Sequence, residues 1–219
     1  MGKSQVNGYK KLTPVNTTIP DIVIGRLPIY LRALTYMVEE GKATTSSQEL
    51  GRRLGISSAQ IRKDLSTFGE FGKQGTGYHI GYLIDQLRQI LKLEEEWKVA
   101  VVGAGFLGHA LTHYNGFQHR GFIISWIFDS DPQKIGQVIN GLKVQMMDEL
   151  EETIRKEGTK MAILAVPAAA AQAVTDRMVE AGIRAILSYA PINLSVPPYV
   201  QVRYSDPVIQ MQHMAYYLD

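Results

Sequence analysis

The apolar positions in the first part of the chain recur at the three-to-four spacing of an amphipathic helix. The residues that carry this spacing are Ile24, Leu27, Leu31, Leu34 and Val38. Pro28 stands inside the pattern, and since proline is tolerated in a first helical turn, we expect the helix to begin there and to end near Gly41. Residues 1–19 show no periodicity, which predicts a flexible N-terminal arm.

Two short helices joined by a turn are predicted over the following stretch, residues 46–69. Each begins with a serine that is followed three residues later by Glu or Gln, which is the pattern of a capping box. The pairs are Ser46 with Glu49 and Ser57 with Gln60. Gly55 supplies the turn between the helices, and this arrangement is typical of a helix-turn-helix.

A tight hairpin is predicted next, because four glycines fall within the ten residues 72–81, around Tyr78 and Ile80. A hairpin directly after a helix-turn-helix indicates the wing of a winged-helix domain. A further helix is predicted over residues 82–93.

The hydrophobic pattern changes from Trp97 onward, where short apolar runs alternate with helical segments. The runs are 98–102, 122–128, 161–166 and 185–189, and the clearest helical segments are 148–157 and 168–181. Strands that are apolar on both faces and alternate with helices form parallel sheets covered on both sides. The sequence therefore predicts an α/β chain in four parts. These are the arm 1–19, a winged-helix domain 20–92, a Rossmann dinucleotide-binding domain 97–205 and a C-terminal helix 206–219.

A glycine pattern after the first of these strands predicts dinucleotide binding. Gly103, Gly105 and Gly108 have the G-x-G-x-x-G spacing between a predicted strand and a predicted helix. In such a loop the first glycine makes the turn, the second admits the pyrophosphate and the third allows close packing of the helix on the strand. Backbone N–H groups around Phe106 and Leu107 would then meet the phosphates.

The next strand ends in Asp129, 21 residues after Gly108, where a carboxylate can accept hydrogen bonds from the adenosine ribose. Because its charge would repel a 2′-phosphate, we expect NAD(H) rather than NADP(H). The same carboxylate disfavours coenzyme A as an alternative ligand. A tight turn that binds no ligand is the remaining structural alternative.

Catalysis is not indicated by the residues around this loop. His109, His113 and His119 lie in or just after the first Rossmann helix, at spacings that form no convincing site. The segment after Ala190 has about thirty residues, too few for a substrate domain. We therefore expect a protein that is not an enzyme. The alternative is an NAD-dependent oxidoreductase with a helical dimerisation module in front.

The second helix of a helix-turn-helix lies in the major groove of DNA. We expect its DNA-binding residues to be Ser58, Gln60, Arg62, Lys63 and Ser66, with Lys73 and Tyr78 added by the wing. A Gln side chain can pair with adenine through two hydrogen bonds, and an Arg side chain with guanine. There are two alternatives to DNA binding. These residues could form only a solvated helix face, or the winged helix could contact a protein.

The distribution of charge agrees with two modules that have different partners. Residues 1–90 hold 12 Lys and Arg against 7 Asp and Glu, whereas residues 91–219 hold 11 against 14. A basic front half is typical of a module with a polyanionic partner. The chain has no cysteine, no signal-like N-terminus and no apolar run long enough for a membrane span. We expect a cytoplasmic protein without a metal site or a membrane partner.

These motifs, in this order, resemble the Rex family of redox-sensing transcriptional repressors. The segments that carry the resemblance are IPDIVIGRLPIYLRAL, SSQELGRRLGISSAQIRKDLSTFGEFGKQGTGY, VVGAGFLGHAL, FDSDPQKIG, LAVPAAAAQ and ILSYAP. The resemblance as a whole extends over about residues 20–218. The resemblance implies a homodimer that binds a palindromic double-stranded DNA operator with TTGTG-type half-sites. It also implies that NADH releases the DNA, whereas NAD⁺ competes with NADH and permits DNA binding.

The resemblance also implies roles for individual residues. The cofactor phosphates would lie on Gly103, Ala104, Gly105, Phe106, Leu107 and Gly108, and the ribose on Asp129. Further contacts along the cofactor would come from Lys134, Val166, Pro167, Ala190 and Pro191. An intersubunit switch would pair Tyr114 with Asp206 and include Arg26.

The C-terminal helix, about residues 207–218, is implied to be swapped between subunits, and its apolar residues have helical spacing. Three positions depart from the family's pattern in a way that bears on the nicotinamide. Ser188 and Tyr189 stand where the family usually has Asn-Phe, and Pro207 directly follows Asp206. We therefore expect contacts with the nicotinamide to differ from those of other members.

Overall fold

The computed structural model describes residues 19–73 and 77–218, and in it the chain divides between Glu94 and Glu95 into two units. The arm predicted over residues 1–19 lies outside the described residues except for Ile19. None of the helices in the described part is both long and apolar enough to cross a membrane.

The N-terminal unit consists of four helices and a small antiparallel sheet. Its elements are α1 (Asp21–Glu39), β1 (Thr44–Thr45), α2 (Ser47–Leu54), α3 (Ser58–Ser66), β2 (Gly72–Lys73), β3 (Gly77–His79) and α4 (Ile80–Ile90). The strands lie in the order β1-β3-β2, and β2 and β3 form the predicted hairpin.

Both predicted helix caps of the helix-turn-helix are present. The Ser46 hydroxyl accepts a hydrogen bond from the N–H of Glu49 at 3.1 Å, and the Ser57 hydroxyl accepts one from the N–H of Gln60 at 3.2 Å. Gly55 ends α2 with a φ of +67°, in the left-handed region where glycine carries no Cβ penalty. Local sequence therefore fixes where α2 ends and α3 begins.

The prediction that the first helix begins at Pro28 is wrong, since α1 begins at Asp21 and Pro28 lies inside it. Proline removes one backbone hydrogen bond from a helix interior. The helix extends before Pro28 because Val23 and Leu27, which both precede the proline, are buried. The buried face of α1 is also rotated by one residue from the predicted face. Ile24 and Val38, which belong to the predicted apolar pattern, are 42% and 48% exposed.

The core of the N-terminal unit joins all four helices. Its fully buried side chains include Leu27, Tyr30, Leu34 and Met37 of α1, Leu50 of α2, Ile61 of α3, and Leu83 and Leu87 of α4. One face of α3 thus packs on this core, and its opposite face remains available to a partner.

The C-terminal unit is a seven-stranded sheet with helices between its strands. Its strands are β4 (Trp97–Val102), β5 (Phe122–Asp129), β6 (Val138–Ile139), β7 (Leu142–Met146), β8 (Met161–Leu164), β9 (Ala185–Ser188) and β10 (Gln201–Tyr204). Its α-helices are α5 (Phe106–Thr112), α6 (Leu150–Glu157), α7 (Ala168–Ala181) and α8 (Pro207–Ala215). The four strands predicted from apolar runs are confirmed as β4, β5, β8 and β9.

The strand order of this sheet is β10-β9-β8-β4-β5-β7-β6, and all neighbours are parallel except β6 and β7. The chain therefore first adds β5 and β7 on one side of β4. It then crosses back and adds β8 on the other side of β4. This is the order of a Rossmann fold, in which ligands bind at the carboxyl ends of the strands where the direction reverses. That position lies at the ends of β4 and β8.

Candidate functional site

The glycine loop connects β4 to α5 at this reversal point. Gly103 has a φ of +103°, and a Cβ there would come within 2.3 Å of the carbonyl oxygen of Ala165. A Cβ at Gly108 would lie 1.8 Å from the carbonyl oxygen of Gly103. Both positions therefore require glycine because of packing within the protein.

Gly105 differs from the other two glycines of the motif. A Cβ at this position would meet no atom within 4 Å, and its φ of −75° is accessible to any residue. Gly105 is the N-cap of α5, and no side chain caps the N–H groups of that first turn. The loop thus combines open space with uncapped backbone donors, and this combination fits the pyrophosphate of a dinucleotide.

Asp129 is buried at the end of β5, beside the glycine loop. Its carboxylate accepts hydrogen bonds from the N–H groups of Ala104 at 2.6 Å and Asp131 at 2.8 Å, and Lys134 Nζ lies 3.2 Å away. Burial opposes ionisation, but these donors outweigh it and hold the pKa of Asp129 below its ordinary value. A charged carboxylate therefore ties the loop to the next strand.

The remaining predicted cofactor residues lie on the other side of β4. Val166 and Pro167 follow β8, and Ala190 and Pro191 follow β9. Since β5, β4, β8 and β9 are parallel neighbours, their carboxyl ends meet at one edge of the sheet. The structure thus brings all the predicted cofactor residues to one edge, with Asp129 at one end of the row.

Ser188 and Tyr189, two of the three residues that depart from the family's pattern, lie at and directly after the end of β9. Ser188 is buried, and its hydroxyl accepts a hydrogen bond from the N–H of Ala190 at 3.3 Å. Tyr189 is half-buried and packs against a cluster that contains Val99 and Ile163. The Ser188 hydroxyl therefore helps to shape the turn on which Ala190 and Pro191 stand.

The histidines of α5 lie on its exposed surface. The rings of His109 and His113 stack with their centroids 4.5 Å apart, and His113 Nδ1 lies 2.9 Å from the carbonyl oxygen of His109. Within residues 19–73 and 77–218, no group of three or more His, Asp or Glu side chains could hold a metal ion.

The face of α3 opposite the core carries the predicted DNA-binding residues, and we call α3 the recognition helix. Arg62, Lys63 and Ser66 are exposed, whereas Ser58 and Gln60 are half-buried. Arg62 Nη1 donates to the Ser47 hydroxyl at 3.0 Å, which anchors its guanidinium to the start of α2.

Of the two wing residues predicted to bind DNA, Tyr78 is only partly exposed. The ring of Tyr78 is half-buried against the core of the N-terminal unit, and this burial raises its pKa. Lys73 pairs with Gly77 in the hairpin, but its side chain lies outside the described residues.

Asp64 is a buried charged residue that the sequence reasoning did not single out. It lies in the recognition helix with no exposed surface, and Arg26, Tyr30 and Gln60 donate four hydrogen bonds of 2.6–2.7 Å to its carboxylate. Burial opposes ionisation of Asp64, but these donors outweigh it and lower its pKa. The signal in the sequence was a charge three residues after the apolar Ile61, a spacing that places both side chains on one face of a helix.

The three predicted switch residues have different surroundings within one chain. Arg26 forms the ion pair with Asp64. Tyr114 is 56% exposed and makes an edge-to-face contact with Phe117, and Asp206 caps α8 by accepting a hydrogen bond from the N–H of Val208 at 2.8 Å. No hydrogen bond joins Tyr114 to Asp206 in the described chain, so their pairing between subunits stays a prediction.

The C-terminal helix α8 has no buried residue in its own chain. Val208, Met211 and Met214 are each at least 60% exposed. An apolar helix face of this kind is normally covered by a partner.

Two family models match the chain. The model described as "Putative DNA-binding protein N-terminus" matches residues 18–66, and the one described as "CoA binding domain" matches residues 94–192. These two matches fall on the N-terminal and the C-terminal unit respectively.

Curated relatives match the chain over most of its length. The redox-sensing transcriptional repressor Rex of Roseiflexus sp. (strain RS-1) is 56% identical over 199 residues, which are 91% of this chain and 90% of the relative. The protein of the same name from Brevibacillus brevis is 46% identical over 200 residues, covering 91% of this chain and 97% of the relative.

Solved structures match both units together. The repressor RSP in complex with β-NAD⁺ and operator DNA is 35% identical, has a TM-score of 0.88, and is matched over 93% of this chain and 94% of that chain. RSP in complex with β-NADH is 33% identical, has a TM-score of 0.84, and is matched over 93% of this chain and 95% of that chain.

Proposed function

The chain belongs to the Rex family of redox-sensing transcriptional repressors, and we propose that it binds a palindromic operator as a homodimer and leaves it when NADH binds. One observation carries this proposal. A single chain joins a helix-turn-helix with an exposed basic face to a Rossmann unit that has an open glycine loop and a charged carboxylate beside that loop. The first unit suits DNA, and the second suits NAD(H).

Release by NADH requires two states of the dimer with different affinities for the two ligands. A ligand shifts such an equilibrium only as far as its own affinities for the two states differ. In our account NADH favours the state that does not bind the operator, and NAD⁺ occupies the same site without favouring it. The glycine loop and Asp129 bind both nucleotides alike, so discrimination would come from the nicotinamide side, where Ala190 and Pro191 stand.

We further propose that the dinucleotide is sensed and not turned over, and that the protein acts in the cytoplasm beside the chromosome. Membership in a repressor family and a nucleic-acid-binding unit in place of a substrate domain support this proposal. The oxidoreductase alternative instead predicts a change in NADH absorbance that depends on an added substrate.

The proposal is tested by fluorescence anisotropy of a labelled palindromic duplex with TTGTG-type half-sites. The full-length protein is titrated in at fixed salt, because affinity for DNA depends steeply on ionic strength. NADH or NAD⁺ is then added to the complex. We expect NADH to release the duplex and NAD⁺ to leave it bound, whereas release by both nucleotides or by neither would contradict the proposal.

NADH should bind on the order of 100-fold more tightly than NADPH, because a 2′-phosphate would meet the charged Asp129. Since the pKa of Asp129 lies below its ordinary value, Asp129 stays charged between about pH 6 and pH 8. The ratio should rise over this range as the 2′-phosphate loses its second proton near about pH 6. Asp129→Asn removes the charge and should reduce the ratio at least tenfold in fluorescence titrations.

The matched control for this charge is Asp131→Asn, because Asp131 also lies near Lys134, at 3.6 Å, but stands farther along the turn. It should leave the ratio of the two affinities unchanged. Equal affinities of the wild type for NADH and NADPH would show that Asp129 does not contact the ribose.

Arg62→Ala should weaken operator binding by about 1–3 kcal/mol and relax the preference at one base pair, since an exposed Arg of a recognition helix can pair with guanine. The control is Arg52→Ala on α2, where an exposed Arg would hold a phosphate and its loss would weaken all sequences alike. Anisotropy with a set of single-base operator variants separates the two patterns. If both variants weaken all duplexes equally, Arg62 makes no base contact.

A further inference from the structure

Ser47 holds the guanidinium of Arg62, an exposed side chain of the recognition helix. Arg62 Nη1 donates a hydrogen bond to the Ser47 hydroxyl oxygen, with the two atoms 3.0 Å apart. Ser47 is only 9% exposed, whereas Arg62 is exposed. Because the donor is ionised, this bond is stronger than one between two neutral groups. A buried acceptor at the start of α2 therefore fixes one end of a charged group that faces outward.

The hydroxyl of Ser47 is available to Arg62 because its neighbour caps the helix. Ser46 and Ser47 follow each other at the start of α2, and the Ser46 hydroxyl accepts the capping bond from the N–H of Glu49 at 3.1 Å. The Ser47 oxygen is not needed for that cap. It accepts instead from a side chain that lies 15 residues further along the chain.

A second neighbour of Arg62 comes from the wing. Burial raises the pKa of Tyr78, and the positive charge of Arg62 acts against this rise, so the guanidinium lies close enough to act on the phenol. Tyr78 stands in β3 opposite Thr45, two residues before Ser47. Arg62 thus extends between the start of α2 and the wing, and both sides restrict its orientation.

The bond to Ser47 leaves Arg62 able to pair with a base. A guanidinium carries five N–H donors in a planar fork, and Ser47 takes one of them at Nη1. The edge formed by Nε and Nη2 keeps both of its donors, which suit O6 and N7 of guanine. A long side chain that is already oriented loses less rotational freedom when it binds.

We propose that Ser47 is a specificity-determining positioning residue, which orients the Arg62 guanidinium for a guanine before the operator binds. Ser47 acts through Arg62 and not through a contact of its own with DNA. This inference rests on the proposed function, and within it on the base contact that we expect of Arg62.

The test is a double-mutant cycle between Ser47 and Arg62. Operator variants with single base changes are compared by anisotropy, with the full-length protein at fixed salt and without NADH. Arg62→Ala identifies the base pair whose preference depends on this side chain. Ser47→Ala should reduce the preference at that base pair about three- to tenfold and leave the other positions unchanged. In the Arg62→Ala background, Ser47→Ala should change no affinity by more than about twofold.

The matched control is Ser46→Ala, which weakens the start of α2 without removing the acceptor of Arg62. Loss of the cap should lower the melting temperature by about 4–8 °C. The base preference of this variant should equal that of the wild type when it is measured well below the melting transition. The control therefore separates the stability of α2 from the orientation of Arg62.

The outcomes separate this inference from the function on which it rests. If Ser47→Ala keeps the full preference, or if Ser46→Ala loses as much of it, the inference alone is overturned. If Ser47→Ala weakens all duplexes alike in both backgrounds, its hydroxyl contacts a phosphate and the inference is also overturned. If Arg62→Ala relaxes no position, the inference fails while release by NADH still supports the proposed function. If the wild type binds no operator, both fail.

Discussion

Gly105→Val abolishes the response to NADH and leaves operator binding intact. A Cβ at Gly105 meets no protein atom within 4 Å, and its φ is accessible to any residue, so the substitution fits the ligand-free protein. The added side chain fills the space that we assign to the pyrophosphate. We expect the Kd for NADH to rise on the order of 100-fold or more, measured by the fluorescence of NADH.

The control for this variant is Gly108→Ala in the same motif. Its Cβ would lie 1.8 Å from the carbonyl oxygen of Gly103, so the Rossmann unit itself should lose about 3 kcal/mol of stability. Gly105→Val should therefore melt within about 2 °C of the wild type, and Gly108→Ala well below it. Unchanged NADH binding by a folded Gly105→Val would show that the pyrophosphate does not approach this loop.

Deletion of residues 207–219 should convert the dimer to a monomer and weaken binding to the palindromic operator by 100-fold or more. The helix α8 buries nothing in its own chain, so its removal costs each unit little of its own packing. Its exposed apolar residues, among them Met211 and Met214, are the surface that a partner subunit would cover. Loss of the second half-site contact then removes an avidity gain of about 10²–10⁴.

Light scattering would give the mass in solution, and anisotropy would give the affinity for palindromic and half-site duplexes. The truncated chain should bind both duplexes equally weakly. The double variant Met211→Gln, Met214→Gln tests the apolar face without shortening the chain, and Gln210→Ala on the same helix is its control. A truncated chain that remains dimeric would contradict a role of α8 in the interface.

The local features of the two sites could be predicted from the sequence because each depends on neighbouring residues. The serine caps at Ser46 and Ser57 and the spacing of the three loop glycines involve contacts within a few positions. The strands β4, β5, β8 and β9 were recognisable because buried parallel strands are apolar on both faces. Their parallel order then placed the cofactor residues at one edge.

The features that escaped prediction depend on distant parts of the chain. The start of α1 was misplaced because the local cost of Pro28 is outweighed by burial of Val23 and Leu27, which only the assembled core determines. Asp64 was overlooked because its partners Arg26 and Tyr30 lie 38 and 34 residues upstream. The same network explains why Gln60 is half-buried rather than fully outward.

NADH and operator DNA favour different states of one two-state dimer, and a measurement of how each ligand changes the affinity for the other tests this most directly. The Kd for NADH is measured at fixed salt with and without saturating operator, and the Kd for operator with and without saturating NADH. Linkage requires the two ratios to be equal, and our account predicts that each exceeds about tenfold. A Kd for NADH that does not change when operator is bound would contradict the account, because the nucleotide would then have no means to release the DNA.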